Sequence, residues 1–234
     1  MEPTGRTARR IPAVPIVAAA AAVAIWGIAV LHVAGALVDP AGPVPVVDPL
    51  RLTVSDYVTL PGGYLVLGIA AGALAVAGAV LAVAAGRAGA SRTVVVLLGS
   101  WAVAMAVAGI FPTNPPGTPA GVVAAVHRYA GAWVFAVLPV AVLLLARGPA
   151  VVAAVRRRLV LLASLGGVAA AAFLLSHVAM DASGSPTFPL LGGVERVLYG
   201  VVILVLVATA RALAPAPLPT PVAVSARALT GSTS

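Results

Sequence analysis

Three histidines and six acidic residues are all that the chain offers for acid–base or metal chemistry. It has no cysteine, which excludes disulfides, thiolate metal sites and cysteine nucleophiles. His32, His127 and His177 each stand near one end of a long apolar run, and Arg128 follows His127 directly. Asp181 follows one run, while Glu195, Arg196 and Tyr199 open the next. Asp39, Asp48, Ser55, Asp56, Tyr57 and Asn114 fall in the polar connections between runs. Histidines with carboxylates nearby suit zinc. No two histidines stand at i, i+4, however, and no His-x-x-Glu pair occurs, so a metal site would need residues from separate segments. The expected cofactor is therefore none, with zinc the alternative. A Ser-His-Asp hydrolase can be drawn with Ser55 or Ser176, yet the strand-to-helix nucleophile elbow has no counterpart here. Glycine-rich phosphate loops are also missing.

Positioning these groups falls to a very apolar chain. Of its 234 residues 62% are apolar and 9% charged, against about 45–50% and about 25% in a soluble domain. Six acids and 14 arginines cannot cover a water-soluble globule of this size, so a soluble enzyme and a disordered chain are both excluded. The net charge of +8 would suggest nucleic acid in a soluble protein. Here the arginines fall between apolar runs and point to membrane topology instead, with no nucleic-acid partner. A membrane helix needs about 20 mostly apolar residues. Six runs qualify, at 16–38, 63–85, 93–111, 126–146, 159–180 and 194–213. The first is longer than a secretory h-region and is expected to stay as a span. Pro139 lies within the fourth and is expected to kink it. Gly68 and Gly72 in the second fit a small-xxx-small helix contact.

The expected fold class is all-α: a six-helix transmembrane bundle in a bacterial plasma membrane. Residues 1–14 form an N-terminal segment, 15–213 the membrane domain, and 214–234 a Pro/Ser/Thr-rich tail expected to be disordered. If the N-terminus is cytoplasmic, eleven arginines lie inside and only Arg51, Arg128 and Arg196 lie outside. Positive residues collect on the cytoplasmic side, so both termini are expected there. Connections 39–62, 112–125 and 181–193 then form the outer face, and the first is long enough for a short helix or strand. Depth separates the polar groups. All three histidines and five of the six acids lie in the outer third or beyond, and the inner half has almost nothing to carry a substrate through.

Three stretches on the outer side resemble the bacterial integral membrane family called domain of unknown function 998. They are Val54-Ser55-Asp56-Tyr57, then Gly109-Ile110-Phe111-Pro112-Thr113-Asn114 with His127-Arg128, and then Leu190-Leu191-Gly192-Gly193-Val194-Glu195-Arg196-Val197-Leu198. The resemblance covers roughly residues 15–212 and implies six membrane helices. That family often carries aspartate after Phe-Pro-Thr. Asn114 stands there in this chain, which leaves a hydrogen-bonding or turn-forming role at that position.

Ionisable groups within a membrane are costly and by default suggest a site facing the bundle interior. The candidates are His32, Ser55, Asp56, Asn114, His127, Arg128, His177, Asp181, Glu195, Arg196 and Tyr199. A histidine near a helix end can equally satisfy a backbone carbonyl. Glu195 in a first helical turn would complement the dipole, and it shares a face with Tyr199 four residues on. Arg196 points about 100° away from Glu195 and is expected to pair with a loop carboxylate, Asp56 first and Asp181 second. The expected function is an outward-facing polar pocket that binds a small polar molecule or lipid headgroup. An intramembrane lipid-modifying enzyme, metal-assisted or not, and a structural membrane protein without ligand are the alternatives. Oligomeric state is not legible. Orientation has a direct test, since the chain has no native cysteine. Gly117→Cys and Ser183→Cys are expected to react with a membrane-impermeant thiol reagent in intact cells, and Ser91→Cys is not. Labelling at Ser91→Cys alone would invert the topology.

Overall fold

The computed structural model describes residues 12–39, 41–42, 46–115, 118–119, 121–183 and 190–214, with side chains described for all of these but 178–183. The segment before residue 12, Gly117 and the tail from 215 lie outside the described residues. Six α-helices account for most of the rest: α1 Ala13–Ala36, α2 Gly63–Arg87, α3 Arg92–Ile110, α4 Val122–Arg147, α5 Ala153–Ser183 and α6 Leu191–Ala212. All six are long and apolar enough to cross a membrane, and no strand occurs among the described residues. The protein is a polytopic membrane protein. Helices are the expected solution, because lipid offers no hydrogen bonds and each backbone N–H must find its partner within the segment.

The boundaries differ from the hydropathy runs in ways that move the polar groups. α4 starts at Val122, which puts His127 in its second turn, and α6 starts at Leu191, which does the same for Glu195. The first-turn dipole argument for Glu195 therefore does not apply. α5 begins at Ala153, so Arg156, Arg157 and Arg158 belong to a helix and not to a connection. It also continues through Ser183, so Asp181 lies in its last turn. Hydropathy marks where the side chains turn apolar, whereas backbone hydrogen bonding carries the helix beyond that point.

Sequence-adjacent helices pack side by side, and α1 also packs on α6, so the six close into a ring; α2 and α4 both touch α6 as well. The continuous core includes Leu81, Leu98, Trp101, Leu138, Leu145, Leu159, Leu198 and Leu206, all nearly fully buried. The outward faces are just as apolar, with Trp26, Val33, Leu65, Val103, Val168 and Val197 exposed. That pattern suits lipid on the outside and close packing inside. Contact between α2 and α3 depends on small residues. A Cβ on Gly109 would lie 2.8 Å from the Ala71 Cβ, and one on Gly68 would lie 3.4 Å from the Gly109 carbonyl. A Cβ on Gly72 would meet nothing within 4 Å, so only the first half of the expected Gly68/Gly72 pair lies at the contact. Trp101 ties α3 to α4 by donating its indole N–H to the Val134 carbonyl at 2.9 Å. Pro139 lies inside α4, and α5 passes it at Gly166 and Gly167.

The long connection between α1 and α2 contains a 3₁₀ helix, Val54–Thr59. Val54, Tyr57 and Leu60 are buried with Leu31 and Val47 in a small core of their own. Gly62 takes a left-handed φ of 75° as the chain turns into α2. A side chain on Gly63 would collide with the Tyr57 carbonyl, so glycine is required there. Packing around Trp101 generates a prediction. A Cβ on Gly78 would sit 2.6 Å from the indole Cε3, and the fully buried ring has no room to retreat. Overpacking typically costs about 1–3 kcal/mol. Gly78→Ala is expected to lower the melting temperature in detergent; an unchanged melting curve would mean that this contact relaxes freely.

Candidate functional site

The three stretches singled out in the sequence fold to one end of the bundle, where they line one cavity, and polar contacts join the first to the third. The first set joins the α1–α2 connection to α6. Gly193 donates its N–H to the Leu50 carbonyl at 3.1 Å, and Arg196 Nη1 donates to the Leu52 carbonyl at 2.8 Å. The buried carboxylate of Glu195 accepts the Val54 N–H. Alternate backbone groups of the turn at residues 50–54 thus meet groups of α6. Gly192 makes the approach possible, since a Cβ there would collide with the Leu52 carbonyl and lie 2.7 Å from that of Pro49.

Arg196 therefore does not make the carboxylate pair expected from the sequence. Among the described residues it has no acid within ion-pair distance, and the Asp181 side chain is not described. Nη1 also donates to the Gly192 carbonyl at 2.9 Å, and Nε donates to His32 Nε2 at 3.2 Å. Its guanidinium lies 5.5 Å from the centre of the Tyr57 ring, a cation–π contact, and the buried Nη2 has no hydrogen-bond partner among the described residues. A guanidinium cannot accept, so His32 Nε2 must be the unprotonated nitrogen. Its Nδ1–H then donates to the Tyr57 hydroxyl at 3.0 Å. Both nitrogens of His32 are committed to holding the connection on the bundle.

Asp56 serves the same segment. Its Oδ2 accepts the Thr53 N–H at 2.6 Å and the Thr53 hydroxyl at 2.8 Å, closing a capping box around the 3₁₀ helix. Burial raises the Asp56 carboxyl above its ordinary range, and the two Thr53 bonds and the charges of Arg196 and Arg128 oppose that rise. Ser55 hydrogen-bonds to the Thr53 hydroxyl at 2.8 Å.

Beneath this segment lies a cavity of about 1040 Å³ lined by residues of all six helices. Its polar lining is near the helix ends and connections: Arg51, Ser55, Asp56, Asn114, His127, Arg128, His177, Glu195 and Tyr199. Its deeper lining is apolar, including Ala24, Leu74, Met105, Val134 and Phe135. Leu74 is eleven residues into α2, roughly 17 Å along the axis. Phe173 lines the wall beside Phe135, their ring centres 5.2 Å apart, and extends it to Tyr199 through Phe135 at 5.4 Å and to His177 at 4.5 Å. Of the eleven candidates from the sequence, eight line this cavity; His32 and Arg196 hold the connection, and Asp181 has no described side chain.

Two lining histidines share one arrangement. His127 Nδ1–H donates to the Ala108 and Phe111 carbonyls, at 3.0 and 2.8 Å, where α3 ends. His177 Nδ1–H donates to the Phe173 carbonyl at 3.1 Å. Carbonyls accept only, so the proton is on Nδ1 and Nε2 is the nitrogen left over for another partner in each ring. His177 and Asp181 are four apart on α5, a spacing legible in the sequence. Asn114 organises the α3–α4 connection: its Nδ2 donates to the Thr118 carbonyl at 2.6 Å, and its Oδ1 accepts from Arg128 Nη2 at 3.0 Å. Ser176 is spent on the Ala172 carbonyl. No group of three or more His, Asp and Glu side chains that could hold a metal ion exists among the described residues.

Six apolar helices, with the polar groups of three separate stretches gathered at one end, define an integral membrane protein with an intrabundle cavity. The chain belongs to the family described as protein of unknown function (DUF998), whose model matches residues 16–212. No curated protein and no solved structure matches it. Docking of the connection generates the next prediction. Losing one partner of a buried hydrogen bond costs about 1–3 kcal/mol. Arg196→Ala and Gly192→Ala are each expected to lower thermal stability in detergent and to speed proteolysis within residues 46–62. Protease patterns identical to the parent's would show that neither contact holds the segment.

Proposed function

We propose that the protein binds an amphiphile taken from the bilayer, with its polar head among the groups at the helix ends and its apolar chain in the depth of the cavity. The observation that carries this reading is the gradient along the lining, from Arg51, Asp56, Asn114 and Arg128 to Ala24, Leu74 and Met105. A volume of about 1040 Å³ stands just above the range of about 300–1,000 Å³ usual for ligand sites. A small polar molecule would leave the apolar half unused. In a bacterial plasma membrane with both termini cytoplasmic, as the arginine distribution favours, the polar end faces outward. The ligand then enters at the outer leaflet, through residues of the 15–213 membrane domain.

A lipid-modifying enzyme is the second reading. It draws on the Nε2 atoms of His127 and His177, which have no partner among the described residues, and on the buried Glu195 carboxyl; these groups line one cavity and could move a proton at a bound head. The binding reading needs none of these groups to react.

Filling the cavity tests both. Ala132 is half-buried and lines it. Native mass spectrometry of the purified chain is expected to show co-purified lipid, and Ala132→Trp is expected to lose it while the melting temperature is kept. Ala132→Leu, a smaller intrusion, is expected to retain part of it. Equal lipid occupancy in all three proteins would overturn the reading.

A further inference from the structure

We propose that the head accepted at the mouth is a phosphate ester, held by the Arg128 guanidinium with Asn114 as its positioning residue; this rests on the amphiphile reading above. Arg128 is exposed, lines the cavity, and among the described residues makes a single hydrogen bond, from Nη2 to Asn114 Oδ1. Among the described residues no carboxylate stands within ion-pair distance of it. Four of its five N–H donors remain for a ligand.

What Asn114 does here follows from its own bonds. Its Nδ2 is committed to the Thr118 carbonyl and hydroxyl, which fixes the orientation of the amide and presents Oδ1 to Arg128. A neutral amide therefore holds the guanidinium in place without cancelling its charge. The lining acids make their hydrogen bonds elsewhere, Asp56 Oδ2 with Thr53 and Glu195 with the Val54 N–H, so Asp56 acts on Arg128 only through its field and not by direct contact. Arg51, the other lining cation, is already paired with Asp48 at 3.6 Å. Among the described residues the mouth thus presents one oriented guanidinium with no direct ion pair, and a planar fork of N–H donors matches phosphate oxygens bidentately.

The phosphate could arrive on a lipid or on a water-soluble ester, and the experiment separates these. The full chain in non-ionic detergent is titrated with phosphatidylglycerol, diacylglycerol of the same acyl chains, and glycerol phosphate, with binding read by native mass spectrometry. Phosphatidylglycerol is expected to bind at least about tenfold more tightly than diacylglycerol, the difference that charge-assisted hydrogen bonds supply. Arg128→Gln is expected to remove that preference. Asn114→Asp, which sets a carboxylate against the guanidinium, is expected to weaken phosphatidylglycerol binding severalfold while diacylglycerol binding is kept. Arg157→Gln, the same loss of charge at the opposite end of the bundle, is expected to change nothing. Equal binding of phosphatidylglycerol and diacylglycerol would overturn the phosphate proposal and leave the amphiphile reading standing. Binding of glycerol phosphate with neither lipid would overturn the amphiphile reading, and a preference that survives in Arg128→Gln would overturn the role of Arg128.

Discussion

Backbone groups of residues 50–54 are satisfied by α6, and the rest of the polar end depends on that contact. A connection this long would otherwise leave buried N–H and C=O groups without partners, at a cost comparable to a lost hydrogen bond for each. The Gly193 amide, the Arg196 guanidinium and the Glu195 carboxylate meet the Leu50, Leu52 and Val54 groups in turn. One acceptor and two donors within about one turn of a single helix thus satisfy the backbone of the connection. Adjacent residues of opposite charge, which cannot pair with each other on a helix, are put to use side by side.

Seating the connection in this way has two consequences. It buries Tyr57, whose hydroxyl and ring engage His32 and Arg196, so α1 and α6 are joined through the same turn. It also roofs the cavity with Ser55 and Asp56 while the aromatic side chains of α4, α5 and α6 form a wall below. Polar groups held by backbone contacts therefore sit above an apolar interior, which is the arrangement an amphiphile requires.

The polar groups divide by what occupies them. His32, Arg196 and Thr53 serve the fold, and of their polar atoms Arg196 Nη2 is the one left buried without a partner among the described residues. Among the described residues His127, His177 and Arg128 are only half consumed: one side of each is fixed by a carbonyl or an amide, and the other has no partner. A half-anchored group is oriented without being neutralised, a condition for recognising a ligand.

Six spans, their approximate limits and the concentration of polar residues toward one side were legible in the sequence, because burial in lipid demands long apolar runs and penalises charge within them. The resemblance of residues 54–57, 109–128 and 190–198 to one family was legible as well, and the match over residues 16–212 agrees with it. The partners were not. Arg196 met a carbonyl and a histidine in place of an acid, and Gly192 proved necessary, because a backbone carbonyl carries no mark in the sequence of what will approach it. Helix spacing tells which residues share a face. Which loop is laid across that face, and so which groups are spent and which stay free, is decided only when the six helices close into a ring and bring residues 50–54 against α6, some 140 positions away along the chain.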